Sequence, residues 1–275
     1  MAHDPALATL AARDYQAYVE TFADTPGVTV TTAGGVRVRR AVIDDDYLNG
    51  VFGAVLAPEA LDSAIRATID GFRRDGQAFH WMVWPDDRPS DLVAHLEASG
   101  LDRLDTIPLM TLDLADLGAR EPPPPGLVVR EATDPAGQRA VAAFAVRAVG
   151  WDSPEPPTPF AATFLRLAAE QPPRWRMFGG WLDDELVTTA ALFTGSGLAG
   201  IYAVVTADAM RGRGYGRAVT LAALHAGKEV GLSTGVLMAS DLGLPVYRRI
   251  GFATVGDVHV LRWPGTTRAR ATAAP

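Results

Sequence analysis

At 275 residues and 48% hydrophobic, the chain is long enough for one large or two modest domains, each with its own core. A formal charge of −7, with a sequence pI near 5.2, lacks the basic face of a nucleic-acid binder, so no nucleic-acid partner is expected. The absence of cysteine excludes disulfides, thiolate metal sites and an acyl-cysteine intermediate, and five scattered histidines without a cluster give no metal site.

Residues 1 to about 25 read as an amphipathic helix, with no cationic stretch leading into an apolar one. No apolar run approaches the length of a membrane span, so the expectation is a soluble, cytoplasmic protein without a membrane partner. Asn49–Phe52, the helical stretch Pro58–Arg74, the apolar run Phe79–Trp84 and Asp91–Ser99 suggest strands and helices in alternation. Glu121-Pro122-Pro123-Pro124-Pro125-Gly126 then holds an extended backbone that no helix or central strand accepts. It predicts a lobe over 1–118, a linker over 119–126, a second domain over 127–263 and a flexible tail over 264–275.

The second domain is predicted to run strand (Leu127–Arg130), helix (Pro135–Val149), proline-rich loop (Trp151–Pro159) and helix (Phe160–Glu170). A hairpin follows, Trp175–Leu182 and Leu186–Thr194 about an Asp183-Asp184-Glu185 turn. Gly200–Val205 has the β-branched and aromatic content of a buried strand, and Arg217–Val230 reads as a helix ending near Gly231. Val236–Ser240, a short helix over Leu244–Ile250 and a closing strand at Val255–Arg262 complete the order.

Between the Gly200–Val205 strand and the helix lies Arg211-Gly212-Arg213-Gly214-Tyr215-Gly216-Arg217. Alternating glycines let the backbone approach a ligand, and the helix start with arginines 211, 213 and 217 favours a phosphate. A P-loop would need Gly-Lys-Ser/Thr, whereas Gly216 is followed by Arg217-Ala218. A dinucleotide fingerprint would need a third glycine where Arg217 stands, though Asp241 would serve as its ribose acid. That oxidoreductase reading stays as an alternative.

Arg211, Gly214 and Gly216 resemble the R/Q-x-x-G-x-G/A coenzyme A signature of the GNAT superfamily of N-acetyltransferases, and Tyr247-Arg248-Arg249-Ile250-Gly251-Phe252 resembles its Y-x-x-x-G-F segment. The resemblance covers about Leu127 to Trp263. It implies an α/β fold with a mixed sheet splayed where acetyl-CoA enters, and, by analogy with two-lobed members, a degenerate GNAT-like first half. It further implies that backbone N–H groups at Val204 and Val205 polarise the thioester, that the 211–217 turn holds the diphosphate, that Tyr247 protonates the departing sulfur, and that Ser240 contacts the pantetheine. Tyr215 and Met210 fill variable positions and are expected to pack.

Acceptor choice in such a fold falls to the loop after the first helix, where Trp151, Asp152 and Glu155 would hold a cationic amine. The Gly200–Val205 strand lacks the glutamate base common in the family, so the amine either arrives neutral or is deprotonated by a water chain or another residue, with Asp152, Glu155, Asp241 and His259 as candidates. The expected activity is acetyl transfer from acetyl-CoA to a primary amine of a small molecule, by a monomer or homodimer without a metal. The missing glutamate keeps open a non-catalytic acyl-CoA-binding module.

Overall fold

In a computed structural model describing residues 4–42, 48–148 and 158–265, the chain opens with α1 (Pro5–Glu20), capped by Asp4, whose carboxylate accepts the N–H of Ala6 at 3.0 Å. After a 3-10 turn (Thr21–Asp24) comes a hairpin, β1 (Val28–Ala33) and β2 (Val36–Ala41). Gly34 and Gly35, at φ +59 and +83, supply the two left-handed positions that a two-residue hairpin turn needs. The sequence reading did not identify this hairpin.

β3 (Gly50–Phe52) and β4 (Phe79–Val83) are parallel, with Gly50 opposite His80, and are bridged by α2 (Leu61–Arg74). α2 buries Leu61, Ile65, Ile69 and Phe72 at helical spacing, and Phe72 stacks on Phe79 of β4 with ring centroids 4.3 Å apart. α3 (Leu92–Ala98) and β5 (Asp102–Asp113) follow. β5, also absent from the sequence reading, begins with exposed polar residues and carries Pro108, which hides its periodicity.

The continuation of β3 is occupied. Arg88 donates its N–H to the Ala54 carbonyl at 2.8 Å and accepts the N–H of Leu56 at 3.0 Å, so residues 84–88 take up the backbone edge beyond Phe52. Asp87 organises this segment: it is 4% exposed, and its carboxylate accepts the Trp84 N–H at 3.0 Å. Burial, with Asp86 adding repulsion, raises its pKa from 3.8 to about 7. A folded-state pKa above the unfolded one means that its contribution is complete below pH 3.8 and lost as pH rises through 7. The full shift corresponds to an upper limit of about 4 kcal/mol. Wild-type protein should therefore resist urea better at pH 5.5 than at pH 8.5, and Asp87→Asn, which still accepts the Trp84 N–H, should narrow that difference. Parallel pH profiles for the two proteins would refute this role for Asp87.

The rest of the chain runs β6 (Val128–Glu131), α4 (Pro135–Ala148), α5 (Pro159–Ala168), β7 (Trp175–Leu182), β8 (Glu185–Phe193), β9 (Ala199–Thr206), α6 (Tyr215–Glu229), β10 (Thr234–Met238), α7 (Leu244–Ile250) and β11 (Ala253–Trp263). Asp134 caps α4 by accepting the N–H groups of Ala136 and Gly137, and Thr158 caps α5. The β7–β8 hairpin turns on Asp183 and Asp184 at φ +46 and +64, a turn conformation that aspartate tolerates. β6, β7, β8 and β9 are antiparallel neighbours, and β9 is parallel to β10. A doubly wound dinucleotide-binding sheet would flank the cradle strand with parallel neighbours; here β8 runs against it.

The compact units do not divide at the prolines. One comprises residues 4–109 with 254–265, and the other comprises residues 110–253. Two features move the expected limits. β11 is antiparallel to β4, with His259 opposite Val83, and so joins the first unit rather than closing the second. The proline segment lies inside the second unit, tied down by ion pairs from Arg120 to Glu229 and from Glu121 to Arg217. Both units share one order: a hairpin, a parallel strand pair bridged by a helix, then a short helix. Among the described residues no helix is long and apolar enough to cross a membrane.

Candidate active site

β9 and β10 touch only at their starts. Gly235 lies opposite Ala199 and Val236 opposite Gly200, after which pairing stops, so among the described residues Ile201–Thr206 have no strand partner on that side. On the other side β9 bulges against β8: Thr189 faces Val205, but Ala191 faces Tyr202, leaving an extra residue on β9. The bulge falls at Ala203, whose φ of +50 is a left-handed conformation costing an alanine about 1 kcal/mol or more. Two fully buried threonines of β8 hold it. The Thr189 hydroxyl donates to the Ala203 carbonyl at 3.0 Å and the Thr188 hydroxyl to the Val205 carbonyl at 2.8 Å. Val204 and Val205 are half-buried at this parting. Nothing in the sequence marked the threonines, because their role depends on a register shift in the neighbouring strand.

Beyond β9 the backbone turns through a 3-10 turn (Asp208–Met210) into the glycine-rich run. Gly212 and Gly214 sit at φ +76 and +81, and Gly214 takes the N-cap position of α6 without a side-chain cap. The first helical bond runs from Ala218 N–H to the Gly214 carbonyl at 3.0 Å, which leaves the N–H groups of Tyr215, Gly216 and Arg217 with no helical acceptor. Three open donors at the positive end of a 15-residue helix suit an anion. A Cβ on Gly216 would lie 3.2 Å from Thr206 Oγ1 and 4.0 Å from Val204, so the helix start abuts the parted end of β9.

The arginines of the run have separate fates. Arg211 pairs with Asp208 at 2.7 Å and donates to the Thr206 carbonyl, while Arg213 reaches only the Ala209 carbonyl at 3.4 Å. Arg217 is held bidentately by Glu121 at 2.5 and 2.9 Å. Tyr215 is buried with Leu127 and Val187, with Met210 packed against them.

Tyr247 is 7% exposed and shares the core cluster of Ile201, Leu237, Ala239 and Phe252. Its helix ends in a Schellman motif: Phe252 N–H donates to the Tyr247 carbonyl at 3.0 Å and Gly251 N–H to the Arg248 carbonyl at 3.2 Å, with Gly251 at φ +118. The rings of Tyr247 and Phe252 meet edge to face at 6.0 Å, the apolar contact that accompanies this motif. The Y-x-x-x-G-F spacing is thus a helix stop, to which the phenol oxygen contributes nothing. Burial pushes the Tyr247 pKa from 10.0 to about 12. At the other end of α7, Ser240 accepts the N–H groups of Gly243 and Leu244 with its carbonyl, and its hydroxyl lies 3.3 Å from the Gly243 nitrogen. Its polar groups therefore shape the turn that presents Tyr247. A Cβ on Gly243 would come within 2.6 Å of the Tyr247 ring, so the glycine makes room for it.

Trp151, Asp152 and Glu155 lie outside the described residues. Asp241 is exposed just beyond β10, and His259 belongs to the first unit, where its Nδ1 lies 3.1 Å from the Thr106 hydroxyl. No group of residues able to hold a metal ion occurs among the described residues.

A sequence model of the Acetyltransferase (GNAT) family matches residues 142–252, which span α4 to the Schellman motif. Comparison with curated proteins finds no match. Solved structures share the fold over nearly the whole chain. A GCN5-related N-acetyltransferase from Kribbella flavida has a TM-score of 0.72 at 20% identity, covering 93% of this chain and 96% of its own. One from Sphaerobacter thermophilus has a TM-score of 0.62 at 18% identity, covering 95% and 94%. A tandem GNAT protein of the clavulanic acid biosynthesis pathway has a TM-score of 0.61 at 15% identity, covering 94% and 89%. The parted sheet and the glycine-lined helix start both lie within the region that matches the acetyltransferase family. Residues 142–252 thus match the GNAT acetyltransferase family, and the chain shares the fold of solved GNAT structures.

Proposed function

We propose that this protein transfers the acetyl group of acetyl-CoA directly to a primary amine of a small molecule in the cytoplasm. One observation carries the reading: within the second unit, the unpaired edge of β9 adjoins the three open amides that begin α6. Those amides would take the diphosphate of coenzyme A, and the free backbone of the bulged strand at Val204 and Val205 the thioester oxygen. The amine nitrogen attacks the carbonyl carbon, charge builds on the oxygen against the β9 N–H donors, and the carbon–sulfur bond breaks. Tyr247 gives its proton to the sulfur, and the ammonium proton leaves to solvent, from which the phenol is restored. β9 carries no carboxylate, so no aspartate or glutamate of that strand serves as the base.

The test is thiol release from acetyl-CoA over a panel of small primary amines, read beside calorimetry with coenzyme A. Release on at least one amine supports transfer. Binding without release on any amine would favour an acyl-CoA-binding module, and no binding would remove both.

The stoichiometry should be one coenzyme A per chain. In the first unit the corresponding helix, α2, is preceded by Pro58 and Glu59 and carries Asp62 in its first turn, so negative charge flanks the end that would have to take a phosphate. The continuation of β3 there is also taken by Arg88. A titration saturating at two molecules per chain would overturn this.

A further inference from the structure

Arg217 is the third residue of α6, on the same turn as the open amides, yet its guanidinium already has an anion. Both terminal nitrogens are engaged by the two carboxylate oxygens of Glu121, in the planar two-point geometry that guanidinium also offers a phosphate. Glu121 opens the proline segment, which covers the rim of the cradle. Pro124 Cγ lies 3.6 Å from where a Cβ of Gly214 would stand, and the segment closes with Leu127 N–H on the Pro124 carbonyl at 3.0 Å. The pair is half open to water, with side-chain exposures of 33% for Arg217 and 55% for Glu121. Its exposure to water leaves the pair open to exchange with another anion.

We propose that Glu121 is an internal stand-in for a phosphate of coenzyme A: it occupies Arg217 while the cradle is empty, and the diphosphate takes Arg217 from it on binding. This rests on the acetyltransferase reading and goes beyond it, since it makes the proline segment a competitor that sets cofactor affinity. The contact becomes a gate rather than a strut. Arg120, adjacent in sequence, pairs separately with Glu229.

Calorimetry at low ionic strength tests this without an acceptor. Glu121→Gln should bind coenzyme A about threefold to fivefold more tightly than wild type, because the competitor for Arg217 is gone. In an Arg217→Ala background the same change should alter affinity by less than about twofold, since there is no guanidinium left to compete for. Dephospho-coenzyme A, which keeps the diphosphate but lacks the 3′-phosphate, should show the same gain as coenzyme A. Equal or weaker binding by Glu121→Gln, a gain that persists in the Arg217→Ala background, or a gain confined to the 3′-phosphorylated ligand would each overturn the exchange. If wild type and Glu121→Gln both fail to bind, the acetyltransferase reading falls, and the exchange with it.

Discussion

Tyr247→Phe should slow acetyl transfer by ~10²-fold while leaving acetyl-CoA affinity within a few-fold. The substitution removes one oxygen and keeps the ring, so the edge-to-face contact with Phe252 and the Schellman bonds at Gly251 and Phe252 survive. Its melting temperature should therefore stay close to wild type, which separates loss of a proton donor from loss of structure. Burial holds the phenol at a pKa of about 12, so it keeps its proton across the neutral range. The same burial widens its distance from a thiol of pKa ~8.5, so donation to the sulfur is less favourable than from a free phenol. The alkaline limb of the wild-type rate profile should accordingly show no loss near pH 10 from this group. Release of coenzyme A at an unchanged rate by Tyr247→Phe would remove the hydroxyl from the mechanism and leave Tyr247 as a helix-stop residue alone.

Much of the second unit was legible because its elements have local causes. The glycines at 212 and 214, the caps at Asp134 and Thr158, and the Asp183-Asp184 turn each act within a few residues, and the strands and helices between them lie within about two residues of expectation. What escaped depends on contacts distant in sequence. β11 has a strand pattern, but nothing in residues 253–263 says that its partner is β4. The ending of β9–β10 pairing after Gly200 and the anchoring of Ala203 by Thr189 likewise belong to neighbouring strands rather than to any one segment. Glu121 reads as the first residue of a proline linker; that it neutralises Arg217, 96 positions later, required coordinates. The β1–β2 hairpin was different. Valine alternation on both sides of Gly34-Gly35 is itself a local hairpin signal.

Gly214→Val should abolish measurable coenzyme A binding, a loss of at least ~10²-fold, without unfolding the second unit. Gly214 holds φ at +81 as the N-cap of α6, a conformation that a β-branched residue resists by roughly 1–3 kcal/mol. A Cβ there would meet only Pro124 at 3.6 Å, an ordinary contact, so the strain is relieved by rotating the loop rather than by breaking the core. That rotation turns the amides of Tyr215, Gly216 and Arg217 away from a common focus, and three donors to one diphosphate are lost together. Gly197 provides the control. It has φ +84 and no atom within 4 Å of an added Cβ, but lies in the β8–β9 turn at the opposite end of β9. Gly197→Val should carry the same backbone penalty and bind coenzyme A like wild type. If Gly214→Val keeps wild-type affinity, or if both variants lose it equally, the ligand is not held by the amides that begin α6.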